Sequence, residues 1–196
     1  MNINKIITES LNSSKQVIDK TLSDTSFINN LELASKEIIK TYEHKGKVML
    51  AGNGGSAADC QHICAELVGR LNFDRNPLAA VTLTTNSSNL TCIANDYGYE
   101  DVFVRQMEAL AKPDDTLIIY STSGKSKNIL KLAKQAKSRV KTIIALVGEN
   151  TLALQKYSDV VLSVKSNHTT KIQEVHAIIG HILCEAVEES IFGERN

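Results

Sequence analysis

The sequence predicts an α/β fold, a parallel sheet with helices on both faces, preceded by two helices. Three observations carry this. Beyond about residue 45, short apolar runs alternate with longer stretches of helical period. Several runs are apolar on consecutive positions and rich in β-branched residues, as expected of strands buried on both faces. The first 45 residues show only the helical period.

Taken in order, Ile3, Ile6, Ile7 and Leu11 recur at helical spacing, and so do Ile28, Leu31, Leu33, Ile38 and Ile39. The strand candidates are 48–51, 78–83, 116–120, 142–147 and 160–164. Helices are expected at about 56–71, 86–110 with a break near Gly98, 126–138 and 169–191. Strand–helix alternation of this kind places ligands beyond the carboxyl ends of the strands. The chain reads as one domain, 1–196, with 1–45 as an N-terminal helical extension.

Composition narrows the function classes. Lys+Arg and Asp+Glu are both 22, so no electrostatic footprint for nucleic acid or an anionic membrane exists. The N-terminal residues carry charges and no apolar core, so no secretory signal is expected. The nearly uncharged stretch 76–99 is rich in Thr, Asn and Ser and contains Asp96, unlike a membrane span. Four cysteines in 196 residues do not make a disulfide scaffold and suit a reducing cytosol. Cys60 and Cys64 lack a second pair to complete a metal site and read as small packed side chains.

Two loops are candidates for an anion. The first strand runs into Gly52-Asn53-Gly54-Gly55-Ser56 at a helix start, where glycines admit a ligand to the backbone and helix amides face it. Neither a Walker loop nor a dinucleotide fingerprint is present. A tight turn with a serine cap is the competing explanation. The third strand runs into Ser121-Thr122-Ser123-Gly124-Lys125-Ser126, again at a helix start. Capping explains one hydroxyl, Ser126, but not four. Neutral donors of this kind suit a sugar phosphomonoester, and Lys125 could add a charge.

The helix after Gly55 carries His62, Glu66 and Arg70 at spacings of four, on one face. His62 and Glu66 could ligate a metal, or Glu66 could act as a base; an exposed charge ladder is the alternative. The last helix carries Gln173, Glu174, His176 and His181, where either histidine could instead be a core residue. Asn95-Asp96 before Gly98 is either a polar site pair or an ordinary turn.

Together, AGNGGSAADCQHICAEL, Asn95-Asp96 before Tyr97-Gly98, STSGKS and KIQEVHAIIGHIL resemble the sugar isomerase (SIS) domain, and within it the phosphoheptose isomerases. The resemblance covers about residues 45–190. It implies a flavodoxin-like three-layer α/β/α sandwich with a five-stranded parallel sheet, assembled as a homotetramer with active sites between subunits. The helical extension would then serve oligomerisation. It implies one zinc per site, held by His62, Glu66, Gln173 and His181. It also implies a sugar phosphate held by Asn53, Gly54, Gly55, Asn95, Asp96, Ser121, Thr122, Ser123 and Ser126, with Ser56, Glu66 and Gln173 beside it. The expected reaction converts sedoheptulose 7-phosphate to a heptose 7-phosphate aldose in the cytoplasm, for bacterial lipopolysaccharide or surface glycans.

That chemistry suits the residues. Moving a carbonyl between C2 and C1 needs a base and a partner acid, here Glu66 and His181, with the enediolate charge stabilised by a metal or fixed donors. Gln173 and His181 lie about 12 Å apart along one straight helix. Either the helix is distorted or a second subunit supplies a ligand. The rivals are a replication-initiator-associating binding protein, which lacks the counterparts of Glu66 and His181, and an enzyme or regulator of another sugar phosphate. The sequence departs from close relatives at 167–171, where an acidic or small residue followed by Arg is common. His168 there reads as a loop residue rather than a ligand.

Overall fold

The computed structural model describes residues 2–193. Two helices come first, α1 (Ile3–Leu22) and α2 (Thr25–Glu43). Asn2 caps α1 by accepting from the Lys5 amide, and Asp24 caps α2 by accepting from the Ser26 and Phe27 amides. The α/β part follows as β1 (Val48–Ala51), α3 (Gly55–Val68), β2 (Ala80–Thr82), α4 (Ser87–Tyr97), a 3₁₀ turn (Tyr99–Asp101), α5 (Val104–Leu110), β3 (Thr116–Ser121), α6 (Lys127–Ala136), β4 (Thr142–Val147), α7 (Leu152–Gln155), β5 (Val160–Ser163) and α8 (Thr169–Phe192).

The five strands form one parallel sheet in the order β2-β1-β3-β4-β5. Side-chain alternation divides the core into two layers. Val48, Leu50, Ile118, Tyr120, Ile144 and Leu146 face one layer with α2, α3 and α8. Met49, Ala51, Leu117, Ile119, Ile143 and Ala145 face the other with α5 and α6. The expected three-layer sandwich is present, and both faces of its central strands are buried.

The departures have physical reasons. The strand expected over 78–83 is limited to Ala80–Thr82, an edge strand, although Leu78 and Leu83 are buried. The stretch 86–110 breaks into three pieces because Gly98, at φ +94, ends α4. Ser56 is the second residue of α3 rather than its cap; Gly54 takes the cap position. In α1 the periodic residues Ile3, Ile6, Ile7 and Leu11 are between 52% and 67% exposed. The periodicity identifies the helix, but its apolar stripe is uncovered within one chain.

The strand order has a switch point between β1 and β3. The loop after β1 leads to α3 on one face, and the loop after β3 leads to α6 on the other. Diverging connections leave a crevice between adjacent strand ends, where α/β sheets bind ligands.

Candidate active site

At this crevice a pocket of about 300 Å³ is lined by Asn53, Gly54, Gly55, Ser56, Tyr120, Ser121, Thr122, Ser126, Thr169 and Gln173. No lining residue is charged. Gly54 sits at φ +58, a conformation other residues adopt only with strain. Gly55 leaves room for the Gln173 amide; a Cβ there would lie 2.6 Å from Gln173 Nε2. Gly124, at φ +64, lets the second loop pack against the Asn150 carbonyl. Ser126 occupies the cap position of α6, but its hydroxyl makes no capping bond and instead lies 3.4 Å from the Ser121 hydroxyl. The capping alternative for Ser126 is therefore not realised, and its hydroxyl lies at the pocket, where the resemblance placed it.

The two loops are tied together by a residue that motif reading overlooked. Buried Asn128 donates from Nδ2 to Asn53 Oδ1 and accepts from Asn53 Nδ2, both at 2.9 Å. Tyr99 Oη donates to the same Asn53 oxygen at 3.2 Å. The Asn53 carboxamide is thereby held in one orientation. The only sequence signal for Asn128 was its place two residues after Ser126.

Other predicted residues lie elsewhere. Ser123 accepts from the Lys125 amide at 3.2 Å, and with Lys125 it lines an adjoining cleft beside Glu149 and Asn167. Lys125 thus adds no charge to the pocket lining. Asn95 and Asp96 are exposed on the last turn of α4, where Asn95 Nδ2 donates to Asp96 Oδ1 at 2.8 Å. They do not line the pocket of their own chain. His168 is exposed at the cap of α8. A roomier cleft of about 810 Å³ near Phe73 and Phe192 contains none of the predicted site residues.

Two turns along α3, His62, Glu66 and His181 converge. His62 Nε2 lies 2.8 Å from His181 Nε2 and 3.6 Å from Glu66 Oε1. One donor atom from each residue falls within 4.8 Å of the others. Among the described residues Glu66 pairs with His62 and not with Arg70. The donor set suits a metal: imidazole and carboxylate are common zinc ligands, and three protein ligands leave a position open. Gly180, beside His181, permits the close approach of the two helices; a Cβ there would lie 2.5 Å from Ile63 Cδ1.

The surroundings are differentiated electrostatically. Asp59, one turn before His62, has a carboxylate oxygen buried without a partner, and burial pushes its carboxyl above the usual range against the pull of His62. His176 is wholly buried, packs edge-on to Tyr120 with ring centroids 5.7 Å apart, and is lowered to about 4 by burial. It is a core histidine, whereas His181 faces the site. The α8 helix is unbroken from Thr169 to Phe192, with Gln173 at the loop pocket and His181 at the cluster. Helix distortion is therefore not how the two would meet.

Residues 11–148 match the family model described as the SIS domain. A phosphoheptose isomerase of Sulfurimonas denitrificans is 46% identical over 190 residues, covering 97% of each chain. Among solved structures, a phosphoheptose isomerase from Francisella tularensis superimposes with a TM-score of 0.91 at 33% identity. That match covers 96% of this chain and 100% of the other. The phosphoheptose isomerase from Neisseria gonorrhoeae gives 0.89, also at 33% identity and with the same coverage. The chain belongs to the phosphoheptose isomerase family of SIS-domain proteins.

Proposed function

We propose that the chain interconverts sedoheptulose 7-phosphate and D-glycero-D-manno-heptose 7-phosphate through an enediolate. The observation that carries this is the pairing of an uncharged, hydroxyl-rich pocket at the sheet's switch point with an apposed Glu66 and His181 on the same two helices. The relatives' names and the apposed pair weigh for an enzyme over a binding protein.

Asn53, Gly54, Gly55, Ser56, Ser121, Thr122 and Ser126 hold the phosphate and adjacent hydroxyls by neutral donors, with helix-start amides supplying positive potential. Glu66 takes the C1 proton of the ketose while His181 protonates the C2 oxygen. Glu66 then returns the proton to C2 as His181 takes the one on O1, leaving the aldose. His62, Glu66, His181 and Gln173 would hold one zinc per site, which would supply polarisation of the substrate oxygens. Glu66 keeps a second oxygen, and His181 keeps Nδ1, for proton transfer.

Gln173 lies two turns of α8 from His181, so the four-ligand set does not close within one chain. A second copy closes it in this reading, which makes the site interfacial and the protein a homo-oligomer, taken as a tetramer from the family resemblance. Asn95 and Asp96, exposed here, then contact substrate across that interface. The uncovered stripe of α1 is the apolar surface such assembly needs. Among the described residues no helix is long and apolar enough to cross a membrane. We place the protein in the cytoplasm, acting on a soluble sugar phosphate for bacterial lipopolysaccharide or surface glycans.

Turnover of sedoheptulose 7-phosphate by the purified protein, before and after chelation with zinc add-back, tests the reading. Activity lost and then restored supports both enzyme and metal. Activity that survives chelation removes zinc, and none in either state from folded protein removes the substrate. Glu66→Gln and His181→Gln are each expected to fold and to lose turnover. Mixing His181→Gln with Gln173→Ala chains should recover activity absent from either alone, because some interfaces then carry one intact site.

A further inference from the structure

The Glu66–His181 pair exists only because α3 and α8 are held at one spacing and register. Gly180 and Ile63 set the spacing beside the histidines. Past the end of α3 a second contact is made by Arg75 and Glu188, whose side chains are 2% and 1% exposed, with Nε and Oε1 3.0 Å apart. Glu188 follows His181 by seven residues and so shares its face of α8, two turns on. Its Oε1 also accepts from the Leu71 amide at 2.9 Å, and its Oε2 from the Asn72 amide at 2.7 Å. Arg75 Nη1 also donates to the neighbouring Asn76 carbonyl at 3.1 Å, and its other bonds go to the end of α3. Nη2 donates to the Glu66 carbonyl at 2.7 Å, and Nη1 to the carbonyls of Leu67 at 2.8 Å and Gly69 at 3.1 Å. Carbonyls in the last turn have no partner within a helix. One guanidinium therefore caps α3 at the residue whose side chain is the base, and its carboxylate partner anchors that cap to α8.

A buried ion pair is a weak means to stability, since well-packed apolar residues of similar volume are often as good or better. What this pair supplies is direction: a planar fork donates to carbonyls and carboxylate in one arrangement only. An apolar contact at the same place would tolerate sliding or rotation of the helices. Rotation of α3 carries the side chains of His62 and Glu66 with it.

We propose that Arg75 and Glu188 are positioning residues that fix the register of α3 on α8 and thereby the apposition of His62 and Glu66 to His181. The proposal rests on the roles given above to Glu66 and His181. The loop pocket lies at the opposite end of α3, so the pair acts on the cluster and not on phosphate binding.

The test is the paired variant Arg75→Met with Glu188→Leu, which removes both charges and strands neither. The expected result is a folded protein with zinc affinity, by chelator competition, at least tenfold weaker and kcat at least tenfold lower. KM and the affinity for inorganic phosphate stay within twofold. A folded variant with parental zinc affinity and kcat overturns the proposal, as does parallel loss of zinc, phosphate and KM, which signals general loosening. If the pair does not fold, Glu188→Gln, which keeps an acceptor for the Leu71 amide, is scored by the same criteria. If the parent itself neither binds zinc nor turns over, the functional reading fails separately. Proximity of the His62 and His181 rings by NMR in metal-free protein then decides: loss in the variant supports the lock, and persistence overturns it.

Discussion

Replacing Gly55 by alanine separates the site from the fold. Gly55 opens α3 with a negative φ, so an alanine there meets no backbone strain. Alanine in a helix is favoured over glycine by up to about 1 kcal/mol, less at the first position. In a chain of this length that is a rise in Tm of at most about 2–4 °C. The new Cβ, however, would lie 2.6 Å from Gln173 Nε2, where ordinary contact begins at 3.4 Å. The flexible end of Gln173 must retreat by the difference, about 0.8 Å, out of the pocket it lines. Misplacement on this scale costs about 10²-fold in rate. The expected outcome is an unchanged or slightly raised Tm with kcat/KM for sedoheptulose 7-phosphate reduced about 10–100-fold. Thermal unfolding and steady-state kinetics on one preparation decide it. Parental kcat/KM would refute the role of Gln173, and a fall in Tm of several degrees would refute the packing argument.

Three further outcomes are expected. The His176 imidazole is held neutral down to about 4 by burial, whereas an unfolded histidine titrates near 6.5. Its contribution to stability is therefore complete above pH 6.5 and is lost as pH falls toward 4, by about 3 kcal/mol in all. Urea unfolding at pH 7 and 4.5 should show an acid slope that His176→Leu flattens. Zinc at 100-fold its Kd should stabilise the protein by about 2.7 kcal/mol, and His62→Ala should abolish most of that shift in a thermal melt. Glutamate at both Ile6 and Leu11 should reduce the oligomer measured by light scattering while far-UV circular dichroism is retained, since both side chains are exposed in the single chain.

The sequence by itself determined the fold class and the chemistry at hand. Runs such as Leu117-Ile118-Ile119 and Ile143-Ile144-Ala145 are apolar on consecutive positions, which only a strand covered on both sides uses well. Glycines and hydroxyls at 52–56 and 121–126 are legible because backbone approach to a ligand limits the residues that fit. Only the tertiary structure decided which groups meet. His62 and His181 are 119 residues apart, and no local pattern states that α3 and α8 pack side by side with Gly180 over Ile63. Asn128 and Arg75 act through side-chain partners 75 and 113 residues distant, which no local pattern states. The same limit applies to the stripe of α1. A period of 3.6 is produced by any helix with one apolar face, whether its own core or another chain covers that face. His176 and His181 illustrate the division most directly. Both stand in one apolar stretch five residues apart, yet helix rotation turns one into the core against Tyr120 and the other toward Glu66. Periodicity describes an element, whereas burial depends on what packs against it.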